Sequence, residues 1–203
     1  MTAPLRAQIP ADVPQLVVGI TVDQLRTDYI MALQHLFGEK GFKRLMKEGL
    51  VYENVTFGFP NVDCSSALSV IYTGTYPFYN GIPSDKVYNL SLRREEFALN
   101  DPEKIGNYTD ETYSPKNLKT STLSDEIKIV GNGLGRVFSV APSAQHAIIS
   151  AGHAANSAFW LNEKNGKWAT TTYYLDVPIY VEQRNYNQSL SLHIDTLAWV
   201  PLL

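Results

Sequence analysis

An α/β fold, with helices layered on a mostly parallel sheet, is predicted by three features of this 203-residue chain. Residues 16–22 are a β-branched run between Pro14 and Asp23, the pattern of a strand covered on both faces. Strand and helix periodicities then alternate along the chain, the rhythm of a layered α/β domain. The composition, 44% hydrophobic and 18% charged, is that of a globular protein. It excludes disorder, collagen-like repeats and coiled coil.

After the first strand, Tyr29, Ile30, Leu33 and Leu36 recur at helical spacing. Gly38 and Gly41 punctuate the pattern, and Phe42, Leu45 and Met46 form a second helical stripe ended by Gly49. Residues 50–56 are the next predicted strand. Asp63-Cys64-Ser65-Ser66 is a turn feeding a helix through Ala67, Leu68, Val70, Ile71 and Tyr72, which stops at Thr73-Gly74. Residues 83–113 are polar and rich in Tyr and Asn, and read as an insertion with short strands, anchored by Tyr88, Leu90, Phe97 and Tyr108. Ser114-Pro115 opens a predicted helix through Leu118, Leu123, Ile127 and Val130, ended by the glycine cluster at 131–135. That cluster follows a helix and not a strand, so it reads as a helix-ending turn rather than a phosphate loop. Residues 136–141 and 147–151 are predicted short strands. Asn165-Gly166, between 159–162 and 168–174, is a hairpin signal.

Charge and composition narrow the function. With 17 Lys+Arg against 20 Asp+Glu and no basic run, nucleic acid is not an expected partner. No apolar run reaches the ~18 residues of a membrane-spanning helix. A single cysteine, Cys64, excludes an internal disulfide and any multi-cysteine zinc motif. Residues 1–13 read as a flexible leader ahead of one domain over 14–203. The small, apolar stretch at 2–8 is also compatible with the tail of a signal peptide, which implies a secreted or periplasmic protein.

Two residues stand out chemically. Asp23 follows the first predicted strand, and the carboxyl ends of strands are where ligands collect in open α/β sheets. An acid there is a candidate metal ligand, general base or helix N-cap. Cys64 stands where a turn meets a helix, where backbone N–H groups and the helix dipole favour a thiolate or a bound anion; the plain alternative is a small buried hydrophobe. A cysteine-phosphatase loop needs an arginine about six residues on, where Val70 stands. A sulfatase-type cysteine needs Pro and Arg where Ser66 and Leu68 stand. His35, His146, His153 and His193 are scattered and show no metal-ligand spacing.

Val17-Val18-Gly19-Ile20-Thr21-Val22-Asp23-Gln24-Leu25-Arg26 with Asp28-Tyr29 resembles the opening of the type I phosphodiesterase/nucleotide pyrophosphatase branch of the alkaline phosphatase superfamily. Secreted single-chain bacterial alkaline phosphatases are the nearest members. The resemblance continues in Gly41-Phe42-Lys43-Arg44-Leu45, in Tyr72-Thr73-Gly74-Thr75-Tyr76-Pro77 with Asn80-Gly81-Ile82, in Ser114-Pro115-Lys116-Asn117-Leu118, in Ala151-Gly152-His153-Ala154-Ala155-Asn156 and in Thr171-Thr172-Tyr173-Tyr174. It implies a three-layer α/β/α fold, two zinc ions, and a Thr or Ser nucleophile at a helix N-terminus that forms a phospho-enzyme intermediate. Asp23 matches the first-strand metal ligand. Counting without gaps places Cys64 at the nucleophile, which is also a metal ligand, with Asp63 and Ser65 on either side.

The resemblance also exposes departures. The family's phosphate-binding asparagine falls on Asp85, whose charge would repel a phosphate dianion. Its Lys-x-Arg pair falls on Ser143 and Gln145. Each lost contact of this kind costs ~10²–10³ in rate. The family's remaining metal ligands lie in the second half of a longer chain. The expectation is therefore the N-terminal portion of a metal-dependent phosphate-ester hydrolase, catalytically silent, with its zinc incompletely held. The alternative is a pseudoenzyme serving as a ligand- or protein-binding module. A third reading has the Cys64 thiolate acting on a diester or a non-phosphate ester. The expected partner is a phosphate ester or another small molecule, and exposed sheet edges make a homo-oligomer an expectation as well.

Overall fold

A computed structural model describes residues 14–174, 177–187, 190, 198 and 200. The leader at 1–13 and His193 lie outside the described residues. The chain divides into two units, Met1–Gly58 and Phe59–Leu203, each of which is described by itself.

In the first unit, α1 (Thr27–Leu33) runs into a 3-10 turn (Gln34–Leu36), and α2 (Phe42–Glu48) follows. The Arg26 guanidinium bridges the Asp28 carboxylate and lies 5.2 Å from the Tyr29 ring centre, which fixes the start of α1. α2 begins after Gly41, whose φ of 71° suits glycine, and ends where the Gly49 N–H donates to the Leu45 carbonyl. Both helices match the sequence pattern. The two flanking strands do not: residues 16–22 and 50–56 form no strand, and Leu16, Ile20 and Leu50 are exposed. β-branched composition expresses fitness for a paired, half-buried surface, and a ladder exists only where a neighbouring strand supplies the partner groups.

The second unit holds the core. α3 (Cys64–Thr73) and α4 (Pro77–Asn80) lead into a hairpin of β1 (Lys86–Asn89) and β2 (Arg94–Phe97), then the short β3 (Gly106–Asn107). A 3-10 turn (Pro115–Asn117) and α5 (Leu123–Val130) occupy the stretch where one continuous helix is predicted. Thr122 restarts the helix as an N-cap, its hydroxyl accepting from the Asp125 N–H. β4 (Phe138–Ala141), α6 (Ala144–Ala151), β5 (Ser157–Asn162), β6 (Lys167–Thr171) and α7 (Ile179–Asn187) complete it.

The four-stranded sheet has the order β3-β6-β5-β4. β4 and β5 run parallel, while β5–β6 and β3–β6 are antiparallel, so the described sheet is mixed where a mostly parallel one is expected. The reason is local. The Asn165-Gly166 turn, with Gly166 at φ 64°, folds β6 straight back on β5. Joining β4 to β5 in parallel instead requires a crossover, and α6 supplies it. Residues 147–151, expected as a short strand, are therefore the second half of a helix. Ala147, Ile148, Ile149 and Ala151 on α6 are fully buried with Leu68 of α3, Ala158 and Trp160 of β5, and Tyr174.

Asn80 fixes the turn after α4. Wholly buried, it donates from its amide to the Ser69 hydroxyl (3.0 Å) and the Thr75 carbonyl (3.0 Å), and accepts from the Ile82 N–H (2.9 Å). Asn80→Ala removes these bonds from the buried Ser69 hydroxyl and Ile82 N–H and is expected to cost about 1–3 kcal/mol in urea unfolding, with m unchanged.

Candidate metal and nucleophile site

The start of α3 is tightly specified. Asp63 is its N-cap: one carboxylate oxygen accepts from the Ser66 N–H (2.9 Å) and hydroxyl (2.7 Å), and the Ser66 hydroxyl accepts from the Asp63 N–H (3.0 Å). This reciprocal box satisfies two of the N–H groups that a helix start leaves without partners. Cys64 is thereby fixed as the first residue of a ten-residue helix, at its positive end. Asp63 is occupied with capping, and Ser65 is buried.

Asp85 is placed by the same turn. Its N–H donates to the second Asp63 carboxylate oxygen (2.7 Å), and its own carboxylate accepts from the Ser65 N–H (2.9 Å). The acid that falls at the family's asparagine position thus binds the N-terminus of α3 beside Cys64.

From the other side comes α6. His146 lies in its first turn, and its Nε2 is 3.0 Å from the Cys64 sulfur. Its Nδ1 is 2.5 Å from the Ser143 hydroxyl oxygen, on the residue that precedes α6. Ser143, Gln145, His146 and Cys64 are all half-buried. α3 and α6 pack through Leu68 and Ile148, and that packing sets the sulfur against the ring. The chain therefore joins Ser143, His146 and Cys64 into one line of contacts, although 82 residues separate the ring from the sulfur. Asp23 belongs to the first unit, where it is exposed and one carboxylate oxygen accepts from the Gln24 N–H (2.9 Å).

His146 is the residue that the sequence reading passes over. Its signal is the Ser143-x-x-His146 spacing, which on a helical first turn brings hydroxyl and ring together. Reading 147–151 as a strand hides that. His35, by contrast, is exposed on the 3-10 turn and bonds the Ala32 carbonyl. His153 is half-buried against Asp125.

This fold and this cluster define a class: an α/β domain with a thiol at a helix N-terminus and an imidazole against it, both of metal-ligating type. Residues 17–200 match the family model for type I phosphodiesterase / nucleotide pyrophosphatase, and the chain belongs to that family. It is 34% identical over 176 residues to alkaline phosphatase PhoV of Synechococcus elongatus, covering 85% of this chain and 32% of that protein. Alkaline phosphatase PafA of Elizabethkingia meningoseptica is 30% identical over 195 residues, covering 94% and 36%. A protein named calcium-transporting ATPase from Myroides odoratus is 36% identical over 181 residues, covering 85% and 32%. The crystal structure of wild-type PafA superposes with a TM-score of 0.83 at 28% identity, over 89% of this chain and 36% of that one. The chain spans about a third of the length of these relatives.

The expectation of a silent chain or a pseudoenzyme, based on missing or replaced metal ligands, is overturned. A carboxylate, a thiol and an imidazole of metal-ligating type are present, Asp23 in the first unit and Cys64 with His146 in the second. The fold is that of an alkaline phosphatase.

Proposed function

We propose that this chain is the nucleophile-bearing portion of a metal-dependent phosphate-ester hydrolase. The observation that supports it most directly is Cys64 as the first residue of α3 with a ring nitrogen 3.0 Å from its sulfur, in a chain of the phosphodiesterase family. Zinc suits a thiolate and an imidazole as donors. Cys64 and His146 are near enough to share one such ion: their 3.0 Å contact would open by about half an ångström to admit it at tetrahedral geometry. Cys64 and Asp23 are the ligands that the family resemblance assigns. When bound, zinc lowers the pKa of ligated groups and offsets phosphoryl charge.

In this reading the Cys64 sulfur attacks phosphorus. The S–P bond forms as the P–O bond to the alcohol breaks, and the departing alkoxide takes its proton from water, since the sulfur attacks as the thiolate. Water then cleaves the S–P bond, restoring the thiolate and releasing a phosphate monoester from a diester, or phosphate from a monoester, with the water's second proton going to solvent. The α3 N-terminus favours the anionic sulfur. Asp85, Ser143 and Gln145, the positions that the family resemblance assigns to phosphoryl contacts, carry no positive charge. That favours a substrate with one negative charge over a dianion, as in a phosphodiester.

The test is hydrolysis of bis-p-nitrophenyl phosphate and p-nitrophenyl phosphate by the full-length protein with added zinc. The diester is expected to react faster, and Cys64→Ala to lower turnover on the order of 10³-fold or more. Undiminished turnover in Cys64→Ala would reject Cys64 as the nucleophile.

A further inference from the structure

We propose that His146 is a metal ligand beside Cys64, and that Ser143 is the positioning residue that aims it. The proposal builds on the metal-dependent reading above but is read out without any substrate.

Three observations carry it. The first is convergence: a thiol from the start of α3 and an imidazole from the first turn of α6 meet at 3.0 Å. These are the two donor types that a borderline-soft divalent cation takes most readily. The second is the ring's orientation. Nε2 is the nitrogen nearer the sulfur; Nδ1 is 3.8 Å away and is engaged instead by the Ser143 hydroxyl at 2.5 Å. The Ser143 hydroxyl thus holds Nδ1 and leaves Nε2 on the Cys64 side, where an ion shared with the sulfur would bind. Metal-bound histidines are held in this way, by an acceptor on the far nitrogen that fixes the tautomer. The third is rigidity: both helices are anchored by fully buried side chains, Ser66 on α3 and Ala147 and Ile148 on α6, so the pair is held ready rather than assembled on binding.

Ser143 thereby gains a role that its place in the sequence does not suggest. It falls where a phosphate-binding cation is expected, yet it holds a ring that contacts Cys64. Metal binding displaces the Cys64 thiol proton to solvent as the metal–sulfur bond forms.

Cobalt(II) is the probe, titrated into the full-length protein and followed by absorption. The expected result is a sulfur-to-cobalt charge-transfer band that grows with bound cobalt and that Cys64→Ser abolishes. His146→Ala and the closer-sized His146→Asn are both expected to weaken cobalt binding more than about 100-fold and to change the ligand-field spectrum. Ser143→Ala is expected to weaken it ~10–100-fold, the usual loss when the partner of a ligating histidine is removed. Ser143→Thr, which keeps the hydroxyl, is expected to restore binding. Absence of the thiolate band in the unaltered protein overturns the proposal, as does either His146 variant binding cobalt with unchanged affinity and spectrum. Equal affinity in Ser143→Ala and the unaltered protein removes the positioning role. Loss of ester turnover with the cobalt results as expected would instead count against the hydrolase reading alone.

Discussion

Asp125→Ala is expected to destabilise the protein by about 2–6 kcal/mol, about 1–3 for each of the two buried Thr122 donors that it leaves without this acceptor. Asp125 is 4% exposed and serves five donors. One oxygen accepts from the N–H groups of His153 (2.8 Å) and Ala154 (2.7 Å). The other accepts from the Thr122 N–H (2.9 Å), the Thr122 hydroxyl (3.0 Å) and the His153 Nδ1 (3.0 Å). His153 Nε2 faces the Leu118 carbonyl at 2.9 Å. A carboxylate and a carbonyl only accept, so both ring nitrogens carry protons and the ring is an imidazolium. One residue thus ties the start of α5 to the turn after α6.

The same pair gives stability a defined pH dependence. The hydrogen bond to Asp125 is the main force raising the His153 pKa above 6.5, against burial, with the Leu118 carbonyl adding to it. Burial pushes the Asp125 carboxyl up, but the His153, Thr122 and Ala154 hydrogen bonds outweigh it and hold the pKa well below 3.8. A raised histidine contributes fully below its unfolded value, and that contribution fades as pH rises from about 6.5 through the folded value. A depressed carboxyl contributes above about 3.8 and loses it as pH falls toward the folded value. Urea midpoints are therefore expected to be highest between these limits and to fall on both sides. Asp125→Asn should flatten both slopes; a variant as stable as the unaltered protein, with the same profile, would contradict this account.

Local signals in the sequence carry much of this fold. Gly49 and Gly74 end α2 and α3 where expected, because a helix stop is decided within one turn of chain. The Asn165-Gly166 hairpin is legible for the same reason. Thr122-x-x-Asp125 was also readable, as a capping box, although the helix pattern across Ser114–Val130 concealed it. What was not legible is what depends on distant partners. The run at 16–22 has strand propensity, but propensity supplies no neighbour. Ala147–Ala151 forms a helix because a parallel pair on either side of it needs a crossover, a demand of topology rather than composition. The site divides in the same way. The position of Cys64 at a helix start follows from its own turn, whereas the Cys64–His146 contact depends on how α3 packs on α6.

Gly152→Ala should be nearly as damaging as loss of Asp125, for a different reason. Gly152 closes α6 at φ 70° and ψ −157°, a region essentially confined to glycine, which costs any other residue about 1–3 kcal/mol. A Cβ there would stand 2.2 Å from the Thr122 hydroxyl oxygen and 2.6 and 2.8 Å from the two Asp125 carboxylate oxygens. Those atoms cannot swing aside, because each is held by the hydrogen bonds that cap α5 and grip His153. The buried Tyr174 hydroxyl donates to the Gly152 carbonyl at 2.8 Å, so the backbone is held as well. Overpacking adds about 1–3 kcal/mol, for an expected total of about 2–6 kcal/mol. Gly133 is the control. It also has a positive φ, 76°, but nothing lies within 4 Å of its Cβ position. Gly133→Ala should therefore show only the left-handed backbone cost, about 1–2 kcal/mol. Equal losses for the two variants in urea unfolding would mean that backbone strain alone matters at Gly152. A larger loss at Gly152 that shrinks in the Asp125→Ala background would locate the excess in the crowded cap.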